Sequence, residues 1–86
     1  MKTHNLKLNI EFCEDVLRGK KTFEIRYDDR NYKVGDLIKF TAVNSRGKYI
    51  HHTIKNHTYK ITYILNGWAL EDGYVALGIK EVKNHD

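Results

Sequence analysis

Residues 19–30 read Gly-Lys-Lys-Thr-Phe-Glu-Ile-Arg-Tyr-Asp-Asp-Arg. From Lys21 to Tyr27 the side chains alternate with the period of a strand. Lys21, Phe23, Ile25 and Tyr27 have one parity, and Lys20, Thr22, Glu24 and Arg26 have the other. Glu24 and Arg26 therefore point the same way, about 7 Å apart. Lys21 nominally points the opposite way, but it lies in the turn that follows Gly19. It joins Glu24 and Arg26 only if that turn brings it in. A strand bearing Lys, Glu and Arg is either a solvated, salt-bridged face or the lining of a polar site. Exposed pairs of the first kind contribute only about 0–1 kcal/mol each.

Upstream of this stretch, residues 4–9 alternate and predict a first strand. Asn9 can cap a helix over about residues 10–18. Phe12, Cys13, Val16 and Leu17 fall on one face of that helix. Glu11, Glu14 and Asp15 sit toward its N-terminal part, where the helix dipole favours acids. Gly19 is the expected C-cap.

Downstream, Asp28–Asn31 is a polar loop, in which Asp28 or Asp29 can bond the local backbone. Val34-Gly35-Asp36 is a turn before a strand over 37–43. A hairpin loop at 44–47, a weak strand over 48–53 and a loop at 55–57 follow. A strand over 58–65 carries Tyr59, Ile61, Tyr63 and Leu65 on one face. The last strand, 74–82, carries Val75, Leu77 and Ile79 on one face. Five or six short strands and one helix define an α+β, mainly β domain: a small, partly open barrel closed at one end by the helix.

The 86 residues make one domain, 1–86, with a modest core. Hydrophobic residues are 41% of the chain and proline is absent, which fits a folded domain rather than a disordered tract. No apolar run reaches the roughly 18 residues of a membrane span, and the first residues lack the apolar core of a signal peptide. A cytoplasmic protein with no membrane contact is expected. Cys13 is the single cysteine, so it reads as a small buried residue. The net charge of +4 suits a polyanionic partner such as nucleic acid.

Gly19, Lys21, Glu24 and Arg26 match the Gly-x-Lys-x-x-Glu-x-Arg motif of ASCH domains, and the chain resembles that family of the PUA-like superfamily. The resemblance extends to small phage and bacterial ASCH-like proteins of unknown function. It includes the start (His4, Leu6, Lys7), the segment Asp29, Arg30, Tyr32, Val34, Gly35, Asp36, and the later strands at Ile61–Leu65 and Gly73–Val75. It implies a PUA-like pseudobarrel with a cleft beside the helix, and binding of RNA or a modified nucleotide. One enzymatic branch that it resembles hydrolyses N4-acetylcytidine with a lysine and a threonine in the motif. Here Lys21 matches the lysine, while Glu24 stands where that branch keeps the threonine. Thr22 has the parity of Glu24 but lies two residues earlier.

As a binding set, Lys21 offers a compact charge and Arg26 a planar fork for a phosphate or a base edge. Glu24 can accept from an exocyclic amino group. Phe23, Tyr27 and Tyr32 are candidates for stacking, and Arg30 for extending a phosphate-binding edge. Gly19, Gly35 and Asp36 form the structural part of the motif. No metal or cofactor is expected, because His4, His51, His52, His57 and His85 show no recognised ligand spacing. His4 reads as a surface residue or as part of the cleft mouth. Lys48, His51, His52, Lys55, His57 and Lys60, interleaved with Tyr49 and Tyr59, read as a solvated hairpin or a second nucleic-acid edge. Trp68 reads as a lid over the barrel or as a stacking platform.

Three functions follow in order. The first is a module that binds RNA or a modified nucleotide through Lys21, Glu24 and Arg26. The second is a hydrolase of a modified nucleoside, with Lys21 polarising or attacking and Glu24 as general base. The third is a phage interaction module with a protein partner.

Overall fold

A computed structural model describes residues 1–83. His85 lies outside the described residues. The elements are β1 (Thr3–Asn9), α1 (Ile10–Leu17), β2 (Phe23–Tyr27), β3 (Leu37–Val43), a short 3-10 helix (Thr53–Asn56), β4 (Thr58–Asn66) and β5 (Tyr74–Val82). The strands form one mixed sheet in the order β1-β3-β4-β5-β2. β1 runs parallel to β3, and the other neighbours are antiparallel. Among the described residues the result is an α+β, mainly β pseudobarrel of five strands and one α-helix.

The core follows strand parity. His4, Leu6 and Leu8 of β1 point inward, as do Ile38 and Phe40 of β3 and Val75, Leu77 and Ile79 of β5. Helix α1 covers this layer with Cys13 and Val16. Cys13 is fully buried, and its Sγ lies 3.6 Å from the Asn9 carbonyl oxygen. The Asn9 side chain caps α1 by accepting from the Glu11 N–H at 3.0 Å. At the other end Gly19 adopts φ 77°. Its N–H donates to the Val16 carbonyl and that of Lys20 to the Asp15 carbonyl, the paired bonds of a Schellman ending.

Several sequence expectations change. Residues 48–53 do not form a sixth strand: only Tyr49 makes an isolated bridge, to Val43. Ile54 is instead fully buried, and the His52 ring caps a 3-10 helix by accepting from the Ile54 N–H at 3.0 Å. This local cap and the buried Ile54 outweigh a weak strand pattern. The face expected on β4 is split. A bulge between Ile61 and Tyr63 leaves Tyr59 and Ile61 inside and turns Tyr63 out. Phe12 lies at the edge of the helical stripe and is partly exposed. Trp68 is not a lid over the barrel: it is 84% exposed, in a tight turn where both it and Ala69 have positive φ.

Candidate functional site

Strand β2 lies at one end of the sheet and, among the described residues, pairs only with β5. Its charged parity faces inward, and Phe23, Ile25 and Tyr27 face out. Glu24 is 4% exposed. An ionised carboxylate so placed requires partners, and it has two. Arg26 donates from Nε and Nη2 to Glu24 Oε1 at 3.3 and 3.1 Å. Lys21 donates from Nζ to Glu24 Oε2.

The helix ending is what brings Lys21 in. Its backbone N–H, like that of Lys20, donates to the Asp15 carbonyl, at 3.0 Å. The chain is thereby folded back under α1, outside the strand parity of β2. The Lys21 ammonium also donates to the Phe23 carbonyl at 2.8 Å, and it lies 5.2 and 4.9 Å from the ring centres of Phe12 and Phe23. Cation–π attraction adds to its positioning. On its other side Lys21 lines a cleft of about 140 Å3 with Gly19, Thr22 and Tyr59. The Tyr59 hydroxyl is buried without a protein partner among the described residues, and burial pushes it up to about 12.

The arginines have a second task. β1 and β2 are the two ends of the sheet, and side chains rather than a ladder join them. Arg26 Nη2 donates to the Lys7 carbonyl, and Arg30 Nη1 donates to the Asn5 carbonyl at 3.2 Å. Asp29 lies beside Arg30, 3.9 Å from its Nε. The Asp28 side chain accepts from the Tyr32 N–H at 3.3 Å, so the 28–31 loop is a locally capped turn.

After these bonds the site keeps unused donors. Among the described residues no partner meets Arg26 Nη1 or the third N–H of Lys21. The two cationic side chains are 23% and 18% exposed, so both reach solvent.

A second buried pair sits at the Val34-Gly35-Asp36 turn, where Gly35 takes φ 98°. His4 is not on the surface: its Nε2–H donates to Asp36 at 2.8 Å, and both residues are about 95% buried. Asp36 also accepts from the backbone N–H groups of Lys2 and Lys33. The His4 bond, followed by that of Lys2, holds the Asp36 carboxyl down at about 2, against the opposing effect of burial. Tyr32 is buried against the His4 ring at 4.8 Å and is therefore not a stacking platform. Sequence patterning missed this pair because a lone histidine on a strand usually meets water. The apolar partners of its parity, Leu6 and Leu8, were the available signal.

The remaining histidines are dispersed. His52 reaches Glu14 on α1 at 2.9 Å, and His57 reaches Glu81 on β5 at 2.6 Å. Tyr59 is buried, so the basic stretch from Lys48 to Lys60 is not one continuous aromatic-lined edge.

The fold and the site define a class: a small mixed-sheet domain whose end strand buries a Lys–Glu–Arg group beside a helix ending. Within it, residues 3–79 match the family described as a domain of unknown function (DUF3850), and the chain belongs to that family. It is also similar to a protein of Escherichia phage P2 described as "Uncharacterized 12.9 kDa protein in GpA 3'region". The two are 46% identical over 37 residues, which span 43% of this chain and 34% of the relative. Among the described residues no helix is long and apolar enough to cross a membrane.

Proposed function

We propose that the protein binds single-stranded RNA or a modified nucleotide at the Lys21–Glu24–Arg26 group. The observation that carries this reading is the set of unused donors on Arg26 Nη1 and Lys21 beside the partly exposed rings of Phe12 and Phe23. A guanidinium face and an ammonium suit phosphate oxygens. Exposed aromatic rings next to them suit an unstacked base. Glu24 serves as the buried anchor that fixes both cations rather than as a reader of the base. Arg30, which bonds β1 two residues before the carbonyl that Arg26 bonds, extends the cationic edge. The ASCH resemblance of the same motif points in this direction.

The hydrolytic alternative has less support. Both Glu24 oxygens are engaged by cations, so neither is free to take a proton from water. The ion-paired Lys21 ammonium is a donor, not a nucleophile.

Filter binding of a short single-stranded RNA across a salt series tests the proposal. Lys21→Ala is expected to weaken binding and to flatten the dependence of log K on log salt by about 0.7 for each phosphate no longer neutralised. Lys55→Ala, in the 3-10 helix, should leave both unchanged. Equal, salt-insensitive retention of wild type and Lys21→Ala would sink the proposal.

A further inference from the structure

The outward face of β2, β5 and β4 carries no charge over three consecutive cross-strand rows. Tyr63, Gly78 and Phe23 form the first row. Leu65, Ala76 and Ile25 form the second, and Tyr74 and Tyr27 the third, their rings 5.4 Å apart. The 67–73 loop walls one side, where Ala69, Leu70, Glu71 and Tyr74 line a groove of about 340 Å3 with Ile25, apolar but for the Glu71 carboxylate at its edge. Trp68 projects from this same loop on a left-handed backbone. Non-glycine residues in that conformation carry strain, of the kind kept where a side chain must be displayed.

The five aromatic side chains on and beside this face are 37–84% exposed. At aromatic sizes that is roughly 600 Å2 of aromatic surface. Ile25, itself half exposed, adds to it. The largest patch on a monomeric protein is about 300–600 Å2, and one side of a standard interface is about 800 Å2. The face therefore stands at the upper end of the monomer range and, with Ile25, approaches one half of a standard interface.

Its ends are oppositely charged. Lys60 and Lys80 face one another across β4 and β5 beyond the first row. Asp28, Glu71 and Asp72 line one cleft beyond the third. A two-fold axis lying in the face, along the Leu65–Ala76–Ile25 row, would set the basic end of one copy over the acidic end of the other. We propose that this face binds a second copy of the chain, as an isologous sheet-on-sheet dimer with apolar rows at its centre and complementary charges at both ends. The Lys21, Glu24 and Arg26 side chains lie on the opposite side of β2, so dimerisation covers the Phe23 ring but leaves these charges and the Phe12 ring beside Lys21 open.

Sedimentation velocity of the protein alone, over a concentration series, tests the proposal. Wild type should be a dimer. Ile25→Asp places two carboxylates against each other on the axis and should weaken association about tenfold or more. Lys80→Glu should weaken it too, and Lys80→Glu with Glu71→Lys should recover it, because the swap restores opposite charges. The swap keeps the proposal testable even if Ile25→Asp does not fold. A wild type that stays monomeric at its highest soluble concentration overturns the proposal. So does a dimer indifferent to Ile25→Asp and Lys80→Glu. A monomer in which Ile25→Asp abolishes RNA binding would instead reassign the face to nucleic acid.

Discussion

Glu24 is the residue on which the site depends. Two cations hold its carboxylate, and without it Lys21 and Arg26 would face each other as like charges. Removing one partner of a buried ion group costs about 3–5 kcal/mol. The partial exposure of both cations brings the expected loss for Glu24→Ala to about 2–3 kcal/mol, by the same reasoning with solvent screening. Urea unfolding measures it, and a loss below about 0.5 kcal/mol would mark the group as an ordinary surface pair. The pairing of Glu24 with Arg26 was legible from strand parity alone. That Lys21 joins them was legible only as a condition on Gly19. Its fulfilment depends on the Asp15 carbonyl, which takes two backbone N–H groups at the helix end. Three-dimensional bonds of that kind leave no trace in residue spacing. The seam bonds of Arg26 and Arg30 to the Lys7 and Asn5 carbonyls were hidden for the same reason: they join strands that are far apart in sequence.

At the scale of elements, the turn before β3 locks the start of β1 in place. Asp36 accepts from His4 and from the Lys2 and Lys33 backbones, and its carboxyl is held at about 2 against an ordinary 3.8. A depressed carboxyl stabilises the fold when it is ionised. Its contribution is therefore complete above about pH 4 and falls away as the pH drops toward about 2. Asp36→Asn should be less stable than wild type at neutral pH, and the gap between the two urea midpoints should narrow between pH 5 and pH 2, by that linkage. A gap that stays constant would mean that Asp36 titrates alike in folded and unfolded chains. The strands themselves were readable where apolar parity was strict, as in β3 and β5. Residues 48–53 misled because their pattern is weak and the His52 cap is stronger. In β4 one bulged residue reverses the parity from Tyr63 onward, and no composition signal marks it.

At the scale of the whole molecule, β2 divides two surfaces. Its charged side closes the pseudobarrel against β1 and leaves donors free. Its apolar side, with β5 and β4, forms the uncharged face. A reading by hydrophobicity alone would bury Phe23, Ile25 and Tyr27 and expose Glu24 and Arg26. The observed orientation is the reverse, because β2 ends the sheet over a polar seam rather than over the apolar core. Nucleic acid is proposed to bind on this inward charged side. The most direct measurement is an NMR titration that follows the side-chain Nε–Hε resonance of Arg26 as a short single-stranded RNA is added. The expected result is a saturable shift of that resonance, with backbone shifts at Lys21 and Arg30, that diminishes as salt is raised. Shifts confined to residues 48–60, with Arg26 unmoved, would contradict it.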